Sequence, residues 1–317
     1  MSYLENSFKG KTDWWRYPIV IGFVLFGTFL FSLPLSFAIV AKVKSGIADP
    51  LQIKNVDYVL TLFEANTSLV LLLLPFVGAL LVLLFCVKKL HFQDVKALVT
   101  SRVAIDWNRF LFAFFVWGGL VAVSVGIQYF FNPDSLVFHF RPIPFLGMLI
   151  LGFIFIPLQT SSEELLFRGY LLQGMSVLFR NKWLPLLLTS LFFGVMHYNN
   201  PEIDKLGKVL LVYYCLTGLF LGVLVLMDDG LELSMGFHAA NNLVTAVLVT
   251  ADWTAFQTNS IFRDVSEPNL LWAFLPPLLL YPLLFMIFSK KYQWHDWRKK
   301  LLGNIPLPTE SNSHEIS

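Results

Sequence analysis

Long apolar segments separated by short polar loops make up most of the chain. A helix needs about 20 apolar residues to cross the hydrocarbon core of a bilayer. Eight segments approach or exceed that length, and they lie near residues 17–41, 67–87, 110–131, 143–160, 184–199, 209–227, 233–250 and 269–289. The pattern therefore predicts an all-α, polytopic membrane protein, a bundle of about eight transmembrane helices.

The composition favours the same fold class. Hydrophobic residues are 56% of the chain, charged residues are 14%, and the mean hydropathy is +0.66. A soluble domain carries about 25% charged residues, so the expected partner of this surface is the lipid bilayer. The net charge of +2 does not indicate a nucleic-acid partner. Cys86 and Cys215 both lie in apolar segments and do not indicate a disulfide framework.

The basic residues predict an orientation. Residues 1–16 are polar and lack the apolar core of a signal peptide, so we expect the first apolar segment to be a retained anchor. With the N-terminus inside, most of the 23 Lys and Arg residues fall in cytoplasmic segments. Cytoplasmic loops carry an excess of these residues, which places both termini in the cytoplasm. The compact loops favour the plasma membrane of a bacterium.

The chain divides into four parts by hydropathy and by its polar motifs. Residues 1–142 hold the N-terminal transmembrane helices and a cytoplasmic N-terminus, and residues 143–252 form the core that carries the motifs. Residues 253–302 hold a C-terminal transmembrane helix with a basic end. The polar tail 303–317 is expected to be disordered.

The first motif lies directly after an apolar segment, where SSEELLFRGY places two glutamates and an arginine. On a helix, Glu164 and Arg168 are four residues apart on one face, in the order that favours an ion pair. Glu163 projects about 100° away and lacks that partner. The spacing suggests a catalytic Glu163 beside a structural Glu164–Arg168 pair. The alternative is an ion pair at the membrane interface without catalytic function.

Two further motifs follow on later apolar segments. Phe193 and His197 form FxxxH near the end of one segment, and His238 and Asn242 form HxxxN within another. A single histidine at a helix end is also typical of an interface, and a buried His–Asn pair is typical of an interhelical hydrogen bond. Polar residues in such segments usually face the bundle interior. Together with the glutamates, they could activate water and stabilise an oxyanion.

The three motifs, in this order on successive predicted helices, resemble those of the CPBP family of CAAX proteases and bacteriocin-processing enzymes. EExxxR corresponds to residues 163–168, FxxxH to 193–197 and HxxxN to 238–242. The resemblance covers about residues 145–250, and it includes the type II CAAX prenyl endopeptidases. It implies an intramembrane, glutamate-dependent endopeptidase with its opening on the cytoplasmic side.

The resemblance also implies roles for the motif residues. Glu163 with His197 would position and deprotonate the water, and His238 with Asn242 would donate hydrogen bonds to the oxyanion. Residues Glu164 and Arg168 would hold the helix and balance the charge. Phe193 would form the wall of the site, a role that plain packing explains equally well.

A metal is a further alternative. Glu163, His197 and His238 would be the shell of a zinc ion. Asparagine is a poor zinc ligand, and the HExxH pattern does not occur at the site. We therefore favour a mechanism without a metal or other cofactor.

Two other functions remain open at this level. The first is a non-catalytic bacteriocin-immunity or partner-binding membrane protein, and the second, less favoured, is a proton-coupled transporter with buried Glu and His. For the protease, the expected partner is a peptide or protein substrate. The eukaryotic relatives act on prenylated peptides, whereas nothing in this sequence shows whether its own substrate carries a lipid.

Overall fold

The computed structural model describes residues 2–306, apart from the side chains of Val56, Asp57 and Pro276. Most of the predicted tail, residues 307–317, lies outside the described part. The helices of the described part are, in chain order, α1 (Arg16–Lys44), α2 (Val56–Thr61), α3 (Ala65–Lys89), α4 (Lys96–Val99), α5 (Trp107–Phe131), α6 (Pro142–Glu164), α7 (Leu172–Phe179), α8 (Trp183–Met196), α9 (Pro201–Leu206), α10 (Leu210–Asp228), α11 (Glu232–Leu248), α12 (Leu270–Leu275), α13 (Tyr281–Tyr292) and α14 (Trp297–Leu302). The chain is thus an all-α membrane protein, as predicted.

Six helical stretches within the described residues are long and apolar enough to span a bilayer. They are α1, α3, α5, α10, the 38-residue run from α6 through α7, and the run from α12 through α13. The other two predicted spans are helices as well, but α8 has 14 residues and α11 has 17. At 1.5 Å per residue, both are shorter than the hydrocarbon core of about 30 Å. The prediction of about eight spans therefore overcounts the helices of full spanning length.

Short 3₁₀ helices and strands lie between the long helices. The 3₁₀ helices are Tyr3–Lys9 and Pro133–Ser135, and π-helical turns occupy Leu165–Leu171 and Pro276–Leu280. Three short strands, β1 (Leu136–Phe138), β2 (Val249–Thr250) and β3 (Phe262–Asp264), form a sheet in the order β1-β3-β2. β1 pairs with β3 antiparallel, and β2 pairs with β3 parallel.

The packing brings the motif helices together. α11 packs against both α5 and α6, α6 packs against α3, and α8 packs against α10. Small residues permit these close approaches. A Cβ atom on Gly236 of α11 would lie 2.1 Å from the carbonyl oxygen of Phe110 in α5, and one on Gly194 of α8 would lie 2.2 Å from Sγ of Cys215. Substitution of either glycine would force α11 or α8 away from its neighbour.

The N-terminal segment is packed against the motif-bearing helix. The 3₁₀ helix Tyr3–Lys9 contacts α7, and the side chain of Tyr3 is buried. Its hydroxyl lies 3.1 Å from the carbonyl oxygen of Arg168 and 2.5 Å from that of Leu98. The first residues of the chain therefore contribute to holding the turn that follows the two glutamates.

Candidate active site

The first motif lies where the helix changes its winding. α6 ends at Glu164, and a π-helical stretch, Leu165–Leu171, continues into α7 without a break in the helical run. Wide π-helical turns are rare and often occur at functional sites. Both glutamates point into the bundle: Glu164 is fully buried, and the side chain of Glu163 is 14% exposed.

The ion pair predicted between Glu164 and Arg168 is present. Nη1 of Arg168 lies 2.9 Å from Oε1 of Glu164, and both side chains are at most 1% exposed. Nη2 of Arg168 donates to the carbonyl oxygen of Gly218, at 3.2 Å. The guanidinium carbon also lies 4.2 Å from the centre of the Phe193 ring, a cation–π contact. Arg168 thus joins α10 and α8 to the turn after α6.

His238 lies between the two glutamates. Its Nδ1 is 2.9 Å from Oε1 of Glu164, and its Nε2 is 3.5 Å from Oε2 of Glu163. A carboxylate only accepts hydrogen bonds, so Nδ1 carries the proton that Glu164 accepts. In the neutral imidazole Nε2 then has a free lone pair, and in the imidazolium both nitrogens donate. Sequence reasoning had not connected His238 with Glu164.

Glu163 has one oxygen bonded and one unbonded. Nε2 of Gln159 donates to Oε1 of Glu163 at 2.7 Å. Oε2 is buried and makes no hydrogen bond with any residue that the structure describes. Glu163 therefore has no ion pair with Arg168, as its spacing predicted, but it accepts a hydrogen bond from Gln159, which lies one helical turn before it. That i, i+4 spacing was the signal that sequence reasoning missed.

Asn242 belongs to the same network. Its Nδ2 donates to Oε1 of Gln159 at 2.9 Å, and its Oδ1 accepts from Nδ2 of Asn241 at 3.0 Å. Oδ1 of Asn241 accepts in turn from the indole nitrogen of Trp117 in α5, at 3.1 Å. Three helices, α5, α6 and α11, are thus linked by side-chain hydrogen bonds that end on Glu163.

His197 lies next to this cluster, behind Phe193. It follows the last residue of α8, and its Nδ1 donates to the carbonyl oxygen of Phe193 at 2.7 Å. The imidazole stacks on the ring of Tyr214, with centroids 4.1 Å apart and planes at 17°. Phe193 also contacts the His238 ring, at 6.1 Å between centroids. Among the described residues, no hydrogen bond joins His197 to Glu163.

The three donors considered for a zinc ion are not gathered into one metal-binding group in the described residues. Within residues 2–306, no group of three or more His, Cys, Asp and Glu side chains is placed to hold a metal ion. Nδ1 of His197 and Nδ1 of His238 donate to oxygen atoms, so Nε2 is the nitrogen that each ring leaves without such a bond.

Fold and site together define a multi-pass membrane protein with a carboxylate–histidine cluster buried among its helices. Residues 142–244 match the family model described as Type II CAAX prenyl endopeptidase Rce1-like. The resemblance predicted from the three motifs is thereby confirmed, and the match indicates a protease.

The chain is also similar to a bacterial protein over most of its length. It is 26% identical over 283 residues to the uncharacterized protein YyaK of Bacillus subtilis (strain 168). The similarity covers 84% of this chain and 90% of YyaK. No solved structure matches the chain.

Proposed function

We propose that this protein is an intramembrane, glutamate-dependent endopeptidase of the CAAX prenyl protease-like family. The observation that carries the proposal is the asymmetry of the two neighbouring carboxylates. Both carboxylates keep a buried Oε2 without a hydrogen bond among the described residues, but Arg168 neutralises Glu164, whereas no arginine or lysine pairs with Glu163 there and its Oε2 lies 3.5 Å from Nε2 of His238. A carboxylate in that position can accept a proton from water.

Glu163 is the general base of the proposed reaction. It takes a proton from water, the water oxygen forms a bond with the scissile carbonyl carbon, and the carbonyl oxygen becomes an oxyanion. Collapse of the tetrahedral intermediate breaks the C–N bond, and Glu163 returns its proton to the leaving amine. Positioned acid–base groups of this kind contribute about 10²–10⁴-fold to a rate.

His197 orients the water in this scheme. Its Nδ1 proton is held by the carbonyl oxygen of Phe193, so Nε2 of the neutral ring can accept a hydrogen bond. The stacked ring of Tyr214 fixes the plane of the imidazole. The backbone oxygen of Phe193 thus selects the tautomer, a role that does not depend on its aromatic side chain.

His238 and Asn242 are the donors to the oxyanion. Asn242 has a second N–H besides the one bonded to Gln159. Since the Nδ1 proton of His238 is bonded to Glu164, His238 can donate to the oxyanion only from Nε2, when both ring nitrogens carry a proton. Each oxyanion donor is worth about 10²–10³-fold in rate.

The proposed substrate is a peptide or protein segment that reaches this buried site from the bilayer or from the cytoplasmic surface. We place both termini in the cytoplasm and the protein in a bacterial plasma membrane, on the distribution of Lys and Arg. Lipid modification of the substrate is an outcome of the test below.

The test begins with the peptides themselves. Membrane and secreted peptides from a wild-type strain and a Glu163→Ala strain are compared by proteomics, and peptides whose cut ends occur only in the wild type are candidates. Purified protein in lipid nanodiscs should cut synthetic versions of these peptides, with and without a lipid on the C-terminal cysteine where one is present.

Glu163→Gln should abolish the cleavage, and the same substitution at the exposed Glu267 should not. If a cellular phenotype survives Glu163→Gln, a partner-binding or immunity function replaces the protease. Proton-coupled flux in proteoliposomes that persists without proteolysis would indicate a transporter.

The absence of a metal step has its own test. Cleavage should continue after exhaustive treatment of the purified protein with a strong chelator. Loss of activity that zinc alone restores would overturn the metal-free mechanism and return Glu163, His197 and His238 to the role of ligands.

A further inference from the structure

Gln159 occupies an unusual position for a residue outside the three motifs. Its amide is bonded at both ends: Nε2 donates to Oε1 of Glu163 at 2.7 Å, and Oε1 accepts from Nδ2 of Asn242 at 2.9 Å. The side chain is 3% exposed. One buried amide therefore links the proposed general base on α6 to a proposed oxyanion donor on α11.

The direction of every amide in this network is determined from both ends. An indole N–H can only donate, so Oδ1 of Asn241 faces Trp117 and Nδ2 of Asn241 faces Asn242. Asn242 must then accept through Oδ1 and donate through Nδ2.

Its acceptor is Oε1 of Gln159, which leaves the Gln159 amino group to donate. The last acceptor is a carboxylate oxygen of Glu163, which cannot donate when ionised. The indole at one end and the carboxylate at the other thus require the same orientation.

This polarity has consequences for the proposed chemistry. While Gln159 accepts from one N–H of Asn242, the group of that amide left to meet a developing negative charge is its second N–H, and not its oxygen. While Gln159 donates to Oε1 of Glu163, the carboxylate is held with Oε2 toward His238. Without Gln159, the Glu163 carboxylate could rotate, and the Asn242 amide could flip so that its oxygen and nitrogen exchange places.

We propose that Gln159 is a positioning residue, which holds the Glu163 carboxylate and the Asn242 amide in one hydrogen-bonded unit whose direction Trp117 and Asn241 set. The inference rests on the proposed function and deepens it. A glutamate at position 159 would not serve, because a carboxylate accepts from Asn242 but cannot donate to Glu163 when both are ionised.

The test uses two substitutions at position 159 and a matched control. Gln159→Leu removes both hydrogen bonds at similar volume, and Gln159→Glu keeps the shape and the acceptor for Asn242. Gln173→Leu is the control, because Gln173 is equally buried and also makes one donated and one accepted bond, to Ala97 and from Gln93. All variants are compared in nanodiscs by thermal unfolding and by cleavage kinetics.

We expect Gln159→Leu to lower kcat about 10–100-fold with KM changed less than about twofold, since misplacement of reacting groups by about 1 Å costs about that much. Gln173→Leu should lower the unfolding temperature by a similar amount and leave kcat unchanged. Gln159→Glu places two carboxyl groups in contact, and because they resist joint ionisation, the acid limb of the pH–rate profile should move to higher pH.

Equal kcat values for Gln159→Leu and Gln173→Leu, with an unmoved acid limb in Gln159→Glu, would show that Gln159 is only structural. If Gln159→Leu does not fold, the pH–rate profile of the conservative Gln159→Glu variant distinguishes a positioning role from a structural one, by whether its acid limb moves. Failure of the proposed function gives a different result, namely no Glu163-dependent cleavage by the wild type.

An infrared measurement tests the hydrogen-bonded unit even if the wild type shows no Glu163-dependent cleavage. The Glu163 carboxylate band is obtained as the difference between spectra recorded without and with the Glu163→Gln substitution. Recorded in the Gln159→Leu background, this band should be shifted in frequency from that of the wild type, and in the Gln173→Leu background it should not. A band that is unchanged in Gln159→Leu would overturn the hydrogen-bonded unit itself.

Discussion

Charged side chains are buried at two places in this structure, and the two clusters are built differently. The first is the proposed active site around Glu163 and Glu164. The second, which we call the helix-end cluster, lies where α10 ends, α11 begins and α5 begins. It consists of Arg102, Asp106, Arg109, Asp228 and Glu232.

In the helix-end cluster, every oxygen of the two most buried carboxylates accepts a hydrogen bond. Arg102 bonds Oδ2 of Asp228 at 3.0 Å and Oε2 of Glu232 at 3.1 Å. Oδ1 of Asp228 accepts from Arg109 and from the Trp294 indole, and Oε1 of Glu232 accepts from the backbone N–H of Asp106. Arg102 and Arg109 remain about one-fifth exposed, so their charges reach the surface.

The proposed active site lacks this completeness. Arg168 is 1% exposed and pairs with Oε1 of Glu164, while Oε2 of Glu163 and Oε2 of Glu164 make no hydrogen bond among the described residues. Buried polar groups are almost always satisfied, and an exception calls for an explanation. The comparison teaches that buried charge alone does not mark a reactive site. The proposed site differs in that both of its carboxylates keep an unbonded oxygen and that only Glu164 is paired with an arginine.

The largest expected effect separates rate from stability at Glu163. Glu163→Gln keeps an oxygen that can accept from Gln159, so the unfolding temperature in detergent should change little. Loss of the general base should lower kcat about 10³-fold or more. Cleavage above a tenth of the wild-type rate would show that Glu163 is not the base, and the comparison between the two clusters would lose its functional meaning.

The second prediction concerns the neighbouring carboxylate. Glu164→Gln leaves Arg168 buried without a counter-ion, and breaking a buried pair costs about 3–5 kcal/mol. We expect the free energy of unfolding to fall by about 3 kcal/mol, measured by denaturant titration in mixed micelles, together with loss of cleavage. A stable Glu164→Gln protein would mean that Gly218 and Phe193 alone can hold the guanidinium.

How far the sequence predicts this arrangement depends on the range of each interaction. The ion pair of Glu164 with Arg168 follows from spacing on a single helical run, and the apolar segments predict the long helices. The orders and spacings of Phe193, His197, His238 and Asn242 also predict that α8 and α11 contribute to the site, since polar residues in apolar helices face inward.

Contacts between helices could not be predicted in this way. The bond from His238 to Glu164 and the link from Gln159 to Asn242 depend on the rotation of α11 against α6, which no spacing encodes. In the sequence, Trp117 is one of many aromatic residues in apolar segments. Its part in the network follows only from the packing of α5 on α11. The number of spans was also overestimated, because an apolar segment does not show at which residues its helix begins and ends. The helices α8 and α11 are both shorter than the bilayer core.

The third prediction tests the helix-end cluster. Asp228→Asn removes the charge between Arg102 and Arg109 but leaves an acceptor oxygen. Since both arginines are partly exposed, the loss should lie below the range for fully buried pairs, at about 2 kcal/mol in the free energy of unfolding. The kcat of cleavage should remain within about twofold of wild type. A loss of rate without a loss of stability would place this cluster in the reaction and contradict the comparison.

The smallest expected effect comes from a buried polar contact that carries no charge. His91 follows the end of α3, and its side chain is 3% exposed. Nδ1 of His91 donates to the carbonyl oxygen of Lys11 at 2.7 Å, and Nε2 accepts from the Tyr170 hydroxyl at 2.8 Å. Burial, with a smaller contribution from the positive charge of Arg16, lowers the pKa of His91 below its ordinary value of 6.5.

Because the pKa of His91 is lower in the folded protein than in the unfolded chain, protonation favours unfolding. The stability is fully present above the unfolded pKa of about 6.5 and is lost as the pH falls through the lower folded value. We expect the free energy of unfolding of the wild type to fall between pH 7 and pH 5 relative to a His91→Gln variant. His295→Gln, at an exposed position, is the control and should keep the wild-type pH dependence. Equal pH dependence in wild type and His91→Gln would show that protonation of His91 does not cost stability between pH 7 and pH 5.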